Sequence, residues 1–165
     1  MNWQVKQLEN EVTIWPNVTA YSHPFAGREF RFDDAEIGHV HVGGVVDIPF
    51  PRAMRDALLA QGLAEEHRWV PDSGWTTFHV HHEDQIAHAI WLMRLSYARY
   101  AIRRSGDGQK VFEQESARLA LREPFRSLLE KFVRGSAADR ENPQASEEPV
   151  EQVRQDAGNL QGAAR

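Results

Sequence analysis

His39 and His41 stand one residue apart in EIGHVHVGG, and further along a lone carboxylate, Asp47, interrupts the apolar run VVDIPF. In a strand, alternate side chains share a face, with Cα atoms about 6–7 Å apart. Two imidazoles so placed can serve one anion, one substrate or one metal ion. Zinc takes three or four protein ligands, so this pair alone assigns no metal and names no cofactor. Asp47 shares the parity of His39 and His41 in an unbroken strand, but Gly43 and Gly44 intervene. A carboxylate in an apolar run must be paired or hydrogen-bonded. The nearby partners are Arg52, Arg55, the backbone around Pro49–Pro51, or a histidine. Asp47 then either anchors the turn into the next helix or orients an imidazole. Histidine titrates near neutral pH, which makes it the simplest general acid–base group. On this reading His39, His41 and Asp47 are the catalytic set. The plainer alternative is two half-exposed histidines on a solvated sheet face.

Six further residues are candidates for ligand binding. Arg28 follows Gly27 and can clamp an acidic group bidentately, or pair with Glu29 or Asp47 as structure. Glu29 and Glu36 are carboxylates flanking the histidine stretch. His67 is a lone strand histidine in EEHRW, and Trp75 can wall a pocket or sit in the core. Ser73, in PDSGW, lacks the G-x-S-x-G elbow of a nucleophile and suits turn and cap chemistry. A second H-x-H, His79 and His81, alternates with Phe78 and Val80, so it points outward; His82 follows it.

These residues need a scaffold. WQVKQLENEV has helical apolar spacing, closed by WPNV. TAYSH, REFRF and IGHVHVGGVVDIPF read as strands, the last with a bulge or tight turn at its glycine pair. DDAE reads as a turn or loop. A helix begins at Pro51, carries Met54, Ala57 and Leu58 on one stripe, and ends near Gly62. Residues 64–82 make a hairpin around PDSG. A long helix spans Glu83 to about Arg104, with Ile86, Ile90, Met93 and Tyr97 along one face. Two shorter amphipathic pieces follow. The expected fold is α+β: a small curved antiparallel sheet with helices packed on one face, then C-terminal helices and a disordered tail.

Composition narrows the function classes. The 165 residues carry a net charge of −5, of which −3 falls in residues 135–165. That segment lacks aromatic residues and reads as a disordered acidic tail, leaving residues 1–134 as a single domain. Cysteine is absent, which excludes disulfides, thiol catalysis and cysteine-based zinc sites. The N-terminus has no signal-peptide pattern and no run approaches a membrane span, so a cytoplasmic protein is expected. No concentrated basic surface stands out, which argues against nucleic acid. Phosphate-loop, dinucleotide, H-E-x-x-H and EF-hand motifs are all missing.

The blocks GREFRF, EIGHVH, DIPFP, RD.L...G.A..H, P.SGW.TF and A..L.RLSY occur in that order. Together they resemble the luciferase-domain family of small bacterial and fungal proteins, from about Trp15 to Ala101. The resemblance implies linked roles for Arg28, Glu29, Glu36, His39, His41, Asp47, His67, Ser73 and Trp75, and does not itself name a reaction. It leaves out His79, His81 and His82. The spacing of the last two blocks also resembles double-wing DNA-binding proteins, a fold-level likeness that carries no function.

Three readings follow. The first is a polar pocket lined by histidine, arginine and aspartate for a small anionic ligand or substrate. The second is a non-catalytic interaction module, homodimeric or otherwise, using helix 83–104 and segment 111–133. The third is nucleic-acid binding near Arg94, Arg99, Arg103 and Arg104, for which charge at a helix C-terminus is the simpler account.

Overall fold

A computed structural model of the chain describes residues 2–24 and 26–141, with side chains described through residue 134. The elements are α1 (Trp3–Val12), β1 (Val18–His23), β2 (Gly27–Phe32), β3 (Ala35–Val40), β4 (Val45–Pro49), α2 (Arg52–Ala60), β5 (Glu65–Glu66), β6 (Trp75–His79), α3 (Ile86–Arg104), α4 (Gly108–Arg118) and α5 (Phe125–Glu141). A single 3-10 turn, Glu83–Gln85, leads into α3. The six strands form one antiparallel sheet in the order β1-β2-β3-β4-β6-β5. The fold is the expected α+β arrangement.

Strand alternation divides the sheet into two faces. Phe30, Phe32, Val40, Val46 and Ile48 point inward, where they meet Val5, Leu8 and Val12 of α1 and Leu92 and Met93 of α3 in one core. Burying a side chain such as Phe30 contributes about 2–3 kcal/mol. α3 is buried on nearly every side, Leu92 and Leu95 included, because the sheet packs on one side and α4 and α5 on the other. The stripe read along Ile86 and Met93 is therefore only part of its buried surface. This helix has no broad apolar face left for a partner.

Several details differ from the sequence reading. Pro51 is the N-cap of α2 rather than its first helical residue. The first strand of the hairpin expected over residues 64–82 is only Glu65–Glu66. The hairpin with β6 holds, with Glu65 opposite Thr77 and Glu66 opposite Thr76. The tight turn read at the glycine pair of IGHVHVGGVVDIPF is present at residues 42–44 and divides the segment into β3 and β4. Gly43 and Gly44 have φ of 100° and 84°, a conformation that glycine adopts without strain. α5 runs to Glu141, into the segment read as tail, and residues 142–165 lie outside the described residues. Among the described residues no helix is long and apolar enough to cross a membrane.

Candidate functional site

The site lies on the outer sheet face and depends on two local departures from regular strand structure. The first is the turn at Gly43–Gly44. It folds β4 back along β3 so that Asp47 pairs directly opposite His39. The second is a bulge in β3. The register with β2 shifts between Phe30 and Arg31, so that Gly38 faces Phe30 while Glu36 faces Arg31. In an unbroken strand Glu36 and His39 would lie on opposite faces, three residues apart. The extra residue turns Glu36 outward beside His39. Gly38 adopts φ 147°, and a Cβ there would sit 2.7 Å from Met93 Sδ, so both the backbone and the space require glycine.

Asp47 is the hub. Its Oδ2 lies 3.3 Å from His39 Nε2, 3.1 Å from His41 Nε2 and 3.7 Å from His67 Nε2. Its Oδ1 accepts a 2.5 Å hydrogen bond from Thr77 Oγ1. His39 Nδ1 meets Glu36 Oε1 at 2.6 Å, so the imidazole bridges two carboxylates. Asp47, Glu36 and His39 are 4%, 7% and 9% exposed, so these three groups are buried although they lie on the outward face. Trp75 walls the site, its ring 5.3 Å from that of His39 and 6.1 Å from that of His67.

His23, at the end of β1, completes the cluster. Its ring stacks on His39 at 4.1 Å and meets His41 edge-on at 5.0 Å. Gly27, opposite His23 in the register, has no side chain to stand in the way. His23 Nδ1 is buried without a hydrogen bond, 3.6 Å from Glu29 Oε2. Glu29 also pairs with Arg31 at 2.5 Å. One ring nitrogen from each of His23, His39 and His41 falls within 4.8 Å of the others.

Electrostatics separates the rings. Burial disfavours a charge on His39, but hydrogen bonds to Asp47 and Glu36 outweigh it and raise the pKa to about 9. His23 goes the other way, lowered to about 4 by burial and then by repulsion from His39 and His41. Burial would raise Asp47, yet the imidazoles of His39, His41 and His67 around it and the Thr77 hydroxyl hold it well below the usual carboxylate range. At neutral pH a cationic ring is thus clamped between anions, with a neutral ring stacked on it.

Of the residues singled out from the sequence, the structure gathers His39, His41, Asp47, Glu29, Glu36, His67 and Trp75 on this face. Arg28 is not among them. It shares strand parity with Phe30 and lies on the inner face, where its Nε donates to Glu9 Oε1 at 3.1 Å. Arg31 is the guanidinium on the outer face. Ser73 Oγ donates to Val70 O at 2.6 Å and accepts from Trp75 N at 3.1 Å, which is turn chemistry. Arg52 and Arg55 do not hold Asp47; Arg55 pairs with Asp56 and Glu66. The sequence reading missed His23, Arg31 and Thr77 as neighbours of the site. Alternation along TAYSH puts Tyr21 and His23 on one face, but only the pairing of β1 with β2 shows which face that is.

Three arginines of the other basic cluster are engaged within the fold, while Arg103 is exposed. Arg94 is buried and held by both oxygens of Glu115, at 2.7 and 2.6 Å. Arg99 donates to Pro49 O, and Arg104 pairs with Asp33 and Asp34. These side chains do not offer phosphates a free basic stripe.

Residues 34–96, under half of the chain, match the family model described as Luciferase domain, consistent with the resemblance drawn from the blocks from EIGHVH onward; GREFRF lies outside the match. No curated protein and no solved structure matches the chain.

Proposed function

We propose that this luciferase-domain protein uses the outer face of its sheet to bind a small anionic molecule and to move a proton on it. His39, His41 and Asp47 are the acid–base group. His67 and Trp75 close one side of the site, Arg31 supplies a guanidinium on the same face, paired with Glu29, and Glu36 fixes the His39 ring. The observation that supports this most is the convergence of three imidazole Nε2 atoms on one buried carboxylate oxygen, at 3.1 to 3.7 Å. Such a cluster is a poor way to stabilise a sheet. Well-packed apolar residues of similar volume serve stability as well or better than buried charges. Desolvation with specific charge partners is also how acid–base groups are tuned.

In the reaction this arrangement suits, His41 is the ring with the most access. Its side chain is 29% exposed, against 11% for His39. It accepts or returns the substrate proton, while Asp47 steadies the imidazolium that forms. The test is protein-observed NMR of the histidine ring signals, titrated with phosphate, acetate and citrate as probes and repeated on His41→Gln. Binding that perturbs the ring signals of His39 and His41 and weakens in the variant supports the reading. Binding that maps elsewhere, or ignores the substitution, refutes it.

A further inference from the structure

We propose that this cluster binds one divalent transition-metal ion through His23, His39 and His41, with Asp47 as the carboxylate donor. The inference rests on reading the outer face as a site and names a ligand for it; with the ion bound, His41 and Asp47 hold the ion, so the proton-moving role described above belongs to the metal-free chain.

Three observations carry it. Nitrogens of the three rings already lie within 4.8 Å of one another, close enough for one ion to reach all three after small side-chain turns. Asp47 Oδ2 stands 3.3 and 3.1 Å from Nε2 of His39 and His41. Neighbouring ligands at bond lengths of about 2.1 Å on one ion are separated by roughly 3.0–3.4 Å. His23 Nδ1 is a buried nitrogen with no hydrogen bond, so a turn of the ring out of its stack on His39 breaks no hydrogen bond at that atom and gives up only its 3.6 Å contact with Glu29 Oε2.

The surroundings suit a ligand set. Glu36 Oε1 holds His39 Nδ1 at 2.6 Å, the carboxylate–histidine arrangement that aims the opposite nitrogen at an ion and raises its basicity. Asp47 is itself fixed by Thr77. Imidazole and carboxylate donors favour zinc, cobalt, nickel or ferrous ions over calcium and magnesium, which take oxygen ligands. The ion takes the position of the proton on His39 Nε2, so binding releases that proton. The half-buried His79 and the exposed His81, stacked at 5.8 Å beside Glu65, are the natural control because they share the same spacing.

The experiment uses the full chain, stripped with a chelator, dialysed, and titrated with Zn²⁺ by calorimetry and with Co²⁺ by visible absorption. One equivalent per chain is expected. His23→Gln, His39→Gln and His41→Gln should each weaken Zn²⁺ binding at least tenfold, and Glu36→Gln about 10–100-fold. His79→Gln with His81→Gln should leave it unchanged. On the unsubstituted chain, Co²⁺ should shift and broaden the ring signals of His23, His39 and His41 most, which keeps the test valid if a variant fails to fold. A folded chain that binds no stoichiometric Zn²⁺ overturns the proposal. So does binding lost only with His79 and His81, or lost with His67→Gln while His23→Gln has no effect. If Zn²⁺ fails while phosphate or acetate still perturbs His41, the ion alone is refuted. If both fail, the site reading falls with it.

Discussion

The chain contains the same short pattern twice, and the two copies have opposite fates. His39-Val40-His41 ends β3 beside a buried carboxylate, whereas His79-Val80-His81 leaves β6 toward solvent. Both pairs flank an inward valine, and Val40 and Val80 are each 0% exposed. The difference comes from what lies across the sheet. His39 faces Glu29 on one side and Asp47 on the other, and His23 and His67 arrive from β1 and from the loop after β5. His79 faces Val45, and its acidic neighbour, Glu65 at 3.5 Å, is 67% exposed. Spacing along a strand creates the opportunity for a cluster. Partners brought by other strands decide whether the opportunity is used.

Removing the hub should widen that contrast most. Asp47→Ala leaves three imidazoles and Thr77 without their shared acceptor, and is expected to cost about 3–5 kcal/mol by urea denaturation. Glu65→Gln, its counterpart beside His79, should change stability by less than about 0.5 kcal/mol, as exposed pairs contribute little. Equal effects would dissolve the distinction between the two regions.

Gly38→Ala attacks the bulge that turns Glu36 toward His39. Its methyl would meet Met93 Sδ at 2.7 Å and a backbone at φ 147°. A loss of about 2–3 kcal/mol is expected, with the His39–Glu36 hydrogen bond weakened in ring NMR. A neutral substitution would show that the bulge does not position the site.

The pH dependence sharpens the comparison within the cluster, measured on chelator-treated protein. His39, raised to about 9, contributes stability that is full below its ordinary 6.5 and is lost as pH climbs through 9. His23, lowered to about 4, contributes stability that is full above 6.5 and is lost as pH falls through the window down to 4. Stability should therefore peak near the shared reference value of 6.5. His39→Gln should flatten the alkaline limb, and His23→Gln the acid limb. The smallest effect is expected for His79→Gln with His81→Gln, within about 0.5 kcal/mol and without altering either limb.

Much of the scaffold was legible in the sequence. α1 matches WQVKQLENEV, because helical apolar spacing is stopped cleanly by the turn before Pro16. The outward placement of His79 and His81 followed from Phe78 and Val80. The site was less legible, for identifiable reasons. Arg28 was readable as an inner-face residue, since the alternation that puts Phe30 and Phe32 inward puts Arg28 with them. Glu36 beside His39 depends on the bulge, and the lone Gly38 was its one sequence signal. The partners of Asp47 depend on strand pairing across a turn and a hairpin, which no local pattern encodes. α3 reads as amphipathic but is covered on both sides, because α4 and α5 return to pack on it.

The most direct test is a pH titration of the His39 ring signals by heteronuclear NMR in the chelator-treated chain. The account predicts a midpoint near 9, with both ring nitrogens protonated at neutral pH. A midpoint at the 6.5 of a free imidazole would contradict it, because the ring would then not be clamped between Glu36 and Asp47.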